Sequence, residues 1–409
     1  MKDKIFSWIE NSIPMAVELE TELTKRPAIS PDSGGEGELD KCLFIESWLK
    51  QHGITRLERY DAPDSKAKGG IRPNLIATID GEDENSRFWI MSHTDVVPPG
   101  ELTMWDSDPW TVTRADDPPR LIGRGVEDNQ QGIVASMLAA LAFTKQGLKP
   151  RRTIKLLFCA DEEMGSHLGI VWLINNHGDL FRKDDMVLVP DGGDPAGENM
   201  EIAEKNIIWA RFVTRGKQGH GSRPDLCANA CLAAADLMSR LHHELSAKFS
   251  DHDPLFEPVY STFEPTKKEA NVPNINTIPG EDVSCMDMRI LPRYSVKSVL
   301  AEVDRIRKEI EAKYKVSIEY TTPQNIESKT TSVEAPVVKA LGRAISEVYG
   351  VKPKPIGIGG GTMGAFLRNV DIDSVIWTKT AVSMHQPNEY ALLKNIIGDA
   401  KVMALMALS

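Results

Sequence analysis

His93 and Asp95 stand two residues apart in SHTDVVP, directly after the apolar run Phe88, Trp89, Ile90 and Met91. A strand that ends this way presents an imidazole at a sheet edge with a carboxylate placed to orient it, which is how proteins build a metal ligand. A satisfied core histidine is the other reading of this segment alone. Asp128 lies in the glycine-rich stretch GRGVEDNQQG, ahead of an apolar, alanine-rich run that starts at Ile133. Such a loop can bring Asp128 to a helix N-terminus, where its carboxylate either bridges two cations or caps the helix. Asp161, Glu162 and Glu163 follow the β-type run 153–160. Gathering three carboxylates at a strand end is costly unless cations or a retained proton relieve the repulsion; a solvated acidic turn is the alternative. Asp191 follows the apolar run 186–190, and His385 follows a strand-like run around Val375 to Trp377, with Asn388 and Glu389 suited to opening the final helix. Together His93, Asp128, Glu163, Asp191 and His385 supply nitrogen and oxygen donors of the kind zinc accepts.

Strand and helix patterns alternate over residues 1–204, the order expected of an α/β domain with a largely parallel sheet, and ligands at strand ends fit the binding edge of such a sheet. Between 205 and 322 the pattern changes: 207–213 reads as a strand, 228–245 as a helix, 282–290 as a strand and 296–314 as a second helix. That spacing predicts a compact α+β insert. The α/β pattern resumes over 323–409, so the first domain is expected to be discontinuous.

Six motifs in order, SHTDVVP, GRGVEDNQQG, ADEEMGS, PDGG, HGSRPD and MHQPNE, resemble those of the co-catalytic dizinc hydrolases, a family that includes aminoacylase, acetylornithine deacetylase, succinyl-diaminopimelate desuccinylase and carnosinase-like dipeptidases. The resemblance covers nearly the whole chain. It implies a zinc-peptidase-like catalytic domain with a mostly parallel central sheet and an inserted ferredoxin-like α+β lid that also dimerises. It implies two zinc ions per subunit, replaceable by Co2+ or Mn2+, with Asp128 bridging both, His93 and Asp191 on one, and Glu163 and His385 on the other. Glu162 is then the general base and Asp95 the residue that orients His93. A cis peptide following Asp128 is implied as well.

The same resemblance assigns His220, in GHGSRP, to stabilising the oxyanion, often in the neighbouring subunit's site; read alone, it is a flexible loop histidine. Asn276 and Arg289 match positions where relatives contact substrate. A guanidinium fork suits a substrate carboxylate, although an ion pair of Arg289 with Asp287 or Glu281 accounts for it nearly as well. The glycine turn before Met363 lacks the Lys-Ser/Thr ending of a phosphate loop. By resemblance Gly360, Gly361 and Thr362 cradle a substrate carboxylate with backbone N–H groups, a nest of the usual kind. Met363 stands where many relatives have a polar residue.

At 409 residues and 41% hydrophobic, the chain is expected to hold two domains. A net charge of −11 without basic blocks argues against a nucleic-acid partner. Five cysteines without a CxxC pair fit a reducing compartment. Cys227 and Cys231 read as small core residues of a helix. The N-terminus starts an amphipathic helix without a signal-peptide core, and no stretch is long and apolar enough for a membrane. The expectation is a cytoplasmic homodimer acting on a small molecule. Two classes of function fit: a dizinc amide hydrolase, leaning to a dipeptidase because relatives with Asp at position 191 tend to be peptidases, with an N-acyl-amino-acid deacylase as the alternative; or a non-catalytic dimeric binding protein on the same fold. Glu162 beside five ligands favours the enzyme, since a scaffold has no need of a base.

Overall fold

Phe88, Trp89, Ile90 and Met91 are all buried in the strand Asp83–His93, because both faces of the sheet that contains it are covered by helices. Each such side chain removed from water contributes about 1.5–3 kcal/mol, so the strand end that carries His93 is anchored in the best-packed part of the fold. The computed structural model describes residues 1–409, which form two compact units: Met1–Ile202, Thr331–Pro355 and Thr362–Ser409 in the first, Ala203–Thr330 and Ile356–Gly361 in the second.

The first unit is built on an eight-stranded sheet in the order Leu57–Pro63, Ile71–Ile79, Arg152–Cys159, Asp83–His93, Met186–Asp194, Ser374–Lys379, Asn199–Glu204, Lys354–Ile358. The four central strands, from Arg152–Cys159 to Ser374–Lys379, are mutually parallel, and antiparallel pairings flank them. Their carboxyl ends therefore point the same way. Trp89 and Met91 pack with Val187, Val189, Ile376 and the helices Ile170–Asn176 and Met363–Asn369. The opposite face is covered by Gln131–Lys145, an alanine-rich helix buried from Gln131 to Phe143, which packs on the C-terminal helix Leu393–Ala407. A small sheet in the order Tyr390–Leu392, Pro119–Ile122, Thr113–Asp116 ties the segment before the last helix to the segment before Asp128.

The second unit carries an antiparallel sheet in the order Thr262–Lys268, Glu281–Ile290, Asn206–Arg215, Ser317–Ile326, with the helices Ala230–Lys248 and Val296–Tyr314 packed on one core. The chain order strand, helix, strand, strand, helix, strand is ferredoxin-like. Two of its strands carry no sequence signal. Thr262–Lys268 is a largely exposed edge strand with two lysines at its end, the composition that keeps an edge from pairing further. Ser317–Ile326 runs through Pro323, where its register with Asn206–Arg215 shifts between Thr321 and Gln324. A proline at an irregular position does not end a strand, so the insert continues to Thr330 rather than stopping at 322, and it takes in Ile356–Gly361. Cys227 precedes the helix Ala230–Lys248, and it and Cys231 are half-buried rather than core residues. No helix is long and apolar enough to cross a membrane.

Candidate metal centre

At the carboxyl ends of the four parallel strands, the first unit gathers His93, Asp128, Glu163, Asp191 and His385, with Glu162 and Asp95 beside them. His93 ends its strand nearly inaccessible to solvent, and Nδ1 donates to the carbonyl of Asp95 at 3.0 Å, with the Asp95 carboxylate 3.5 Å away. The carbonyl thus shares the orienting role expected of the carboxylate. Either way Nε2 is left facing the cluster, 2.9 Å from Asp128 Oδ1 and 3.4 Å from Asp191 Oδ1. His385 Nε2 lies 3.1 Å from the other Asp128 oxygen, Oδ2, and 3.2 Å from Glu163 Oε1.

Asp128 sits in a single irregular turn, Val126–Gln130, ahead of the helix Gln131–Lys145, and the bond Asp128–Asn129 is cis. It does not cap the helix; its carboxylate is turned to the two imidazoles. Gly132 keeps the helix start close to the strand Met186–Asp194, since a Cβ there would meet Pro190 at 2.8 Å. Asn129 Nδ2 in turn donates to the Pro190 carbonyl at 2.5 Å and to Asp191 Oδ1 at 3.0 Å.

The Asp95 carboxylate has a second use. Its Oδ1 and Oδ2 accept the backbone N–H groups of Glu162 and Glu163, each at 3.0 Å, which fixes the acidic turn against the His93 strand. Behind that turn the buried Arg72 forms a fork on Glu38 and reaches Asp161 at 3.1 Å, while Asn74 Oδ1 accepts from the N–H of Ala160. A bidentate guanidinium pair of this kind positions as well as neutralises.

Electrostatics follow from crowding carboxylates in a site removed from water. Burial, then the charge of Asp191, holds the Glu162 carboxyl well above the usual carboxylate range, and burial raises Glu163 and Asp191 too. Burial pushes Asp128 up, but the hydrogen bonds to His385 and His93 outweigh it and the carboxyl lies below its ordinary value. His385 is raised to about 10 by its contacts with Asp128 and Glu163. Two sets of three donors lie within 4.8 Å of one another, His93 with Asp128 and Glu163, and His93 with Glu162 and Asp191. Oxygen and imidazole donors without thiolates suit zinc and other divalent first-row cations, and the surplus of carboxylates calls for positive charge. The donor set therefore fits a metal centre.

The remaining expected residues lie mostly in the second unit. His220, in the short strand Gly219–His220, is exposed, and its Nδ1 accepts from Ser222 N–H at 3.2 Å and faces the Ser222 hydroxyl at 2.8 Å. Asn276 is close by, its carbonyl accepting from Gly221 N–H at 2.7 Å. Arg289 makes the ion pair with Asp287, at 2.7 and 3.0 Å, and also donates to the Gly359 carbonyl at 2.7 Å, which places it beside the turn containing Gly360 and Gly361. Thr362 belongs to the first unit, where its hydroxyl accepts from Gly364 N–H and caps the helix Met363–Asn369.

Glu389 carries no role in the sequence reading beyond helix opening, yet it is fully buried beneath the site and separated from the final helix by the strand Tyr390–Leu392. Its carboxylate accepts from Arg124, Gly125 N–H, Glu127 N–H and Asp128 N–H at 2.6 to 3.0 Å. Its only signal in the sequence is a glutamate placed in a loop that already holds a candidate ligand.

The sequence profile of "Peptidase family M20/M25/M40" matches residues 89–409. An uncharacterized metallohydrolase of Methanococcus maripaludis is 38% identical over 406 residues, covering 94% of this chain and 97% of that protein. Succinyl-diaminopimelate desuccinylase of Cereibacter sphaeroides is 28% identical over 376 residues, covering 91% and 93%. The crystal structure of human carnosine dipeptidase 1 shares the fold with a TM-score of 0.76 at 18% identity, covering 100% of this chain and 98% of that one. With the profile spanning the strand end at His93, the acidic turn and the loop of His385, this chain belongs to peptidase family M20/M25/M40, metallohydrolases that act on peptide and amide bonds.

Proposed function

We propose that the protein is a dizinc hydrolase that cleaves the amide bond of a small substrate, a dipeptide first and an N-acyl amino acid second. The observation that carries this reading is the disposition of Asp128. One carboxylate oxygen faces His93, which also meets Asp191, and the other faces His385, which also meets Glu163. A carboxylate between two separate donor sets is what a bridging ligand requires, so His93 and Asp191 would hold one cation, Glu163 and His385 the other, and Asp128 both.

When bound, a pair of divalent cations lowers the pKa of water toward neutrality and polarises a carbonyl as a Lewis acid. The protein's own residues do the rest. Glu162 is fixed through its backbone N–H on Asp95, and burial holds its carboxyl well above the usual carboxylate range, which favours its acting as a proton carrier. It takes the proton from the attacking water and returns it to the departing amine nitrogen, so that the leaving group departs neutral. His220, as a homodimer's contribution to the neighbouring site, donates to the oxyanion that develops on the scissile carbonyl. In the neutral ring, Nδ1 accepting from Ser222 N–H leaves the proton on Nε2, the nitrogen free to donate. Asn276 assists, and Arg289 with Gly360, Gly361 and Thr362 receives the substrate's carboxylate.

Asp191 favours the dipeptide, by its occurrence in related peptidases; the 28% identical desuccinylase favours the N-acyl substrate. The deciding experiment loads the apoprotein with Zn2+, Co2+ or Mn2+ and offers dipeptides, N-acetyl and N-succinyl amino acids in parallel. Turnover of dipeptides alone supports the first reading and of N-acyl substrates alone the second, while no turnover with metal bound would make the protein a binding scaffold.

A further inference from the structure

Glu127, the residue before the shared ligand, points away from the metal centre and into the loop that leads to His385. Its buried carboxylate accepts five hydrogen bonds from that loop: Thr380 Oγ1 at 2.8 Å, the N–H groups of Ala381, Val382 (3.1 Å) and Ser383 (2.5 Å), and Ser383 Oγ at 2.5 Å. Glu389, four residues beyond His385, does the reverse with the N–H groups of Gly125, Glu127 and Asp128. Each loop's carboxylate thus accepts from the other loop's backbone. The His385 loop needs such support. Val382, His385 and Asn388 all have φ between 58° and 63°, a left-handed conformation that non-glycine residues keep only when their surroundings enforce it. The His385 side chain is 52% exposed, so packing does not hold it.

We propose that Glu127 and Glu389 form a reciprocal clasp that sets the separation of Asp128 and His385, making Glu127 a positioning residue for the cation those two ligands share. Glutamine cannot replace Glu127, because an amide NH2 would face N–H donors on whichever side it was placed. The inference rests on the metal-centre reading, and the test separates the two.

Apoprotein is titrated with Co2+, followed by its visible absorption and by calorimetry. Wild type is expected to take up two ions per chain. Glu127→Gln should weaken one of the two steps by about 10–100-fold, the usual effect of displacing a group that orients a ligand, and alter the spectrum of that step. Thr380→Val with Ser383→Ala, which removes two hydroxyl donors and leaves the backbone ones, should shift the same step less, and serves if Glu127→Gln does not fold. Asp185→Asn is the control. That carboxylate also gathers several donors, from Arg87, Trp89 and Arg182, but at the opposite end of the sheet, so both affinities should stay as in wild type. Unchanged Co2+ affinities in the clasp variants, or an equal loss in Asp185→Asn, overturn the clasp. A wild type that binds fewer than two ions overturns the metal-centre reading instead.

Discussion

His385 places Nε2 3.1 Å from Asp128 Oδ2, leaving Oδ1 of the same carboxylate to His93 at 2.9 Å. The two histidines, one at a strand end and one in a loop, are far apart in the chain, and the Asp128 carboxylate touches both. Asp128→Ala is therefore expected to lower occupancy of both cation positions, whereas His385→Ala should empty mainly one. Metal analysis after gel filtration decides it. Full retention of two ions in Asp128→Ala would exclude the bridge.

Glu162 sits within the donor set of His93 and Asp191, so geometry alone allows it to ligate as well as to shuttle a proton. If it is the base, Glu162→Gln keeps both cations and loses about 10²–10⁴-fold in turnover. Loss of a cation in that variant would exchange the roles of Glu162 and Glu163.

For His220, an oxyanion donor contributes about 10²–10³-fold to turnover, so His220→Ala should lower kcat with both cations retained. Mixing it with Glu162→Gln chains, and confirming exchange, restores part of the activity if the donor comes from the partner. Mixed dimers as inactive as their parents would place His220 in its own subunit's site or outside it.

Asp399 concerns stability rather than catalysis. Burial pushes its carboxyl from 3.8 to about 6, although Thr378, Tyr349 and Gln131 hydrogen-bond to it. The folded state thus binds the proton more tightly than the unfolded state. The resulting contribution is fully present below about pH 4 and is lost as pH rises through about 6, on the order of 3 kcal/mol. Urea unfolding across this window should show wild type losing stability relative to Asp399→Asn as pH rises. A difference that stays flat from pH 4 to 7 would mean that Asp399 titrates normally.

Three of the candidate ligands were legible because each follows its own apolar strand: His93 after Phe88 to Met91, Glu163 after the run ending at Ala160, Asp191 after Met186 to Val189. Strand-then-carboxylate repeats are written locally, and parallel strands bring their carboxyl ends together without further instruction. Local chemistry also suggested the helices of the insert and its strands at 207–213 and 282–290. It failed for Thr262–Lys268, whose exposed pattern is that of an edge, and for Ser317–Ile326, where a proline in an irregular register reads as a break. Only the tertiary structure decided what Glu127 and Glu389 do, and that Asp95 serves the acidic turn as well as His93. Most of their partners are backbone N–H groups, which nearly every residue carries and which leave no mark in the sequence, and the loops that Glu127 and Glu389 join are more than 250 residues apart.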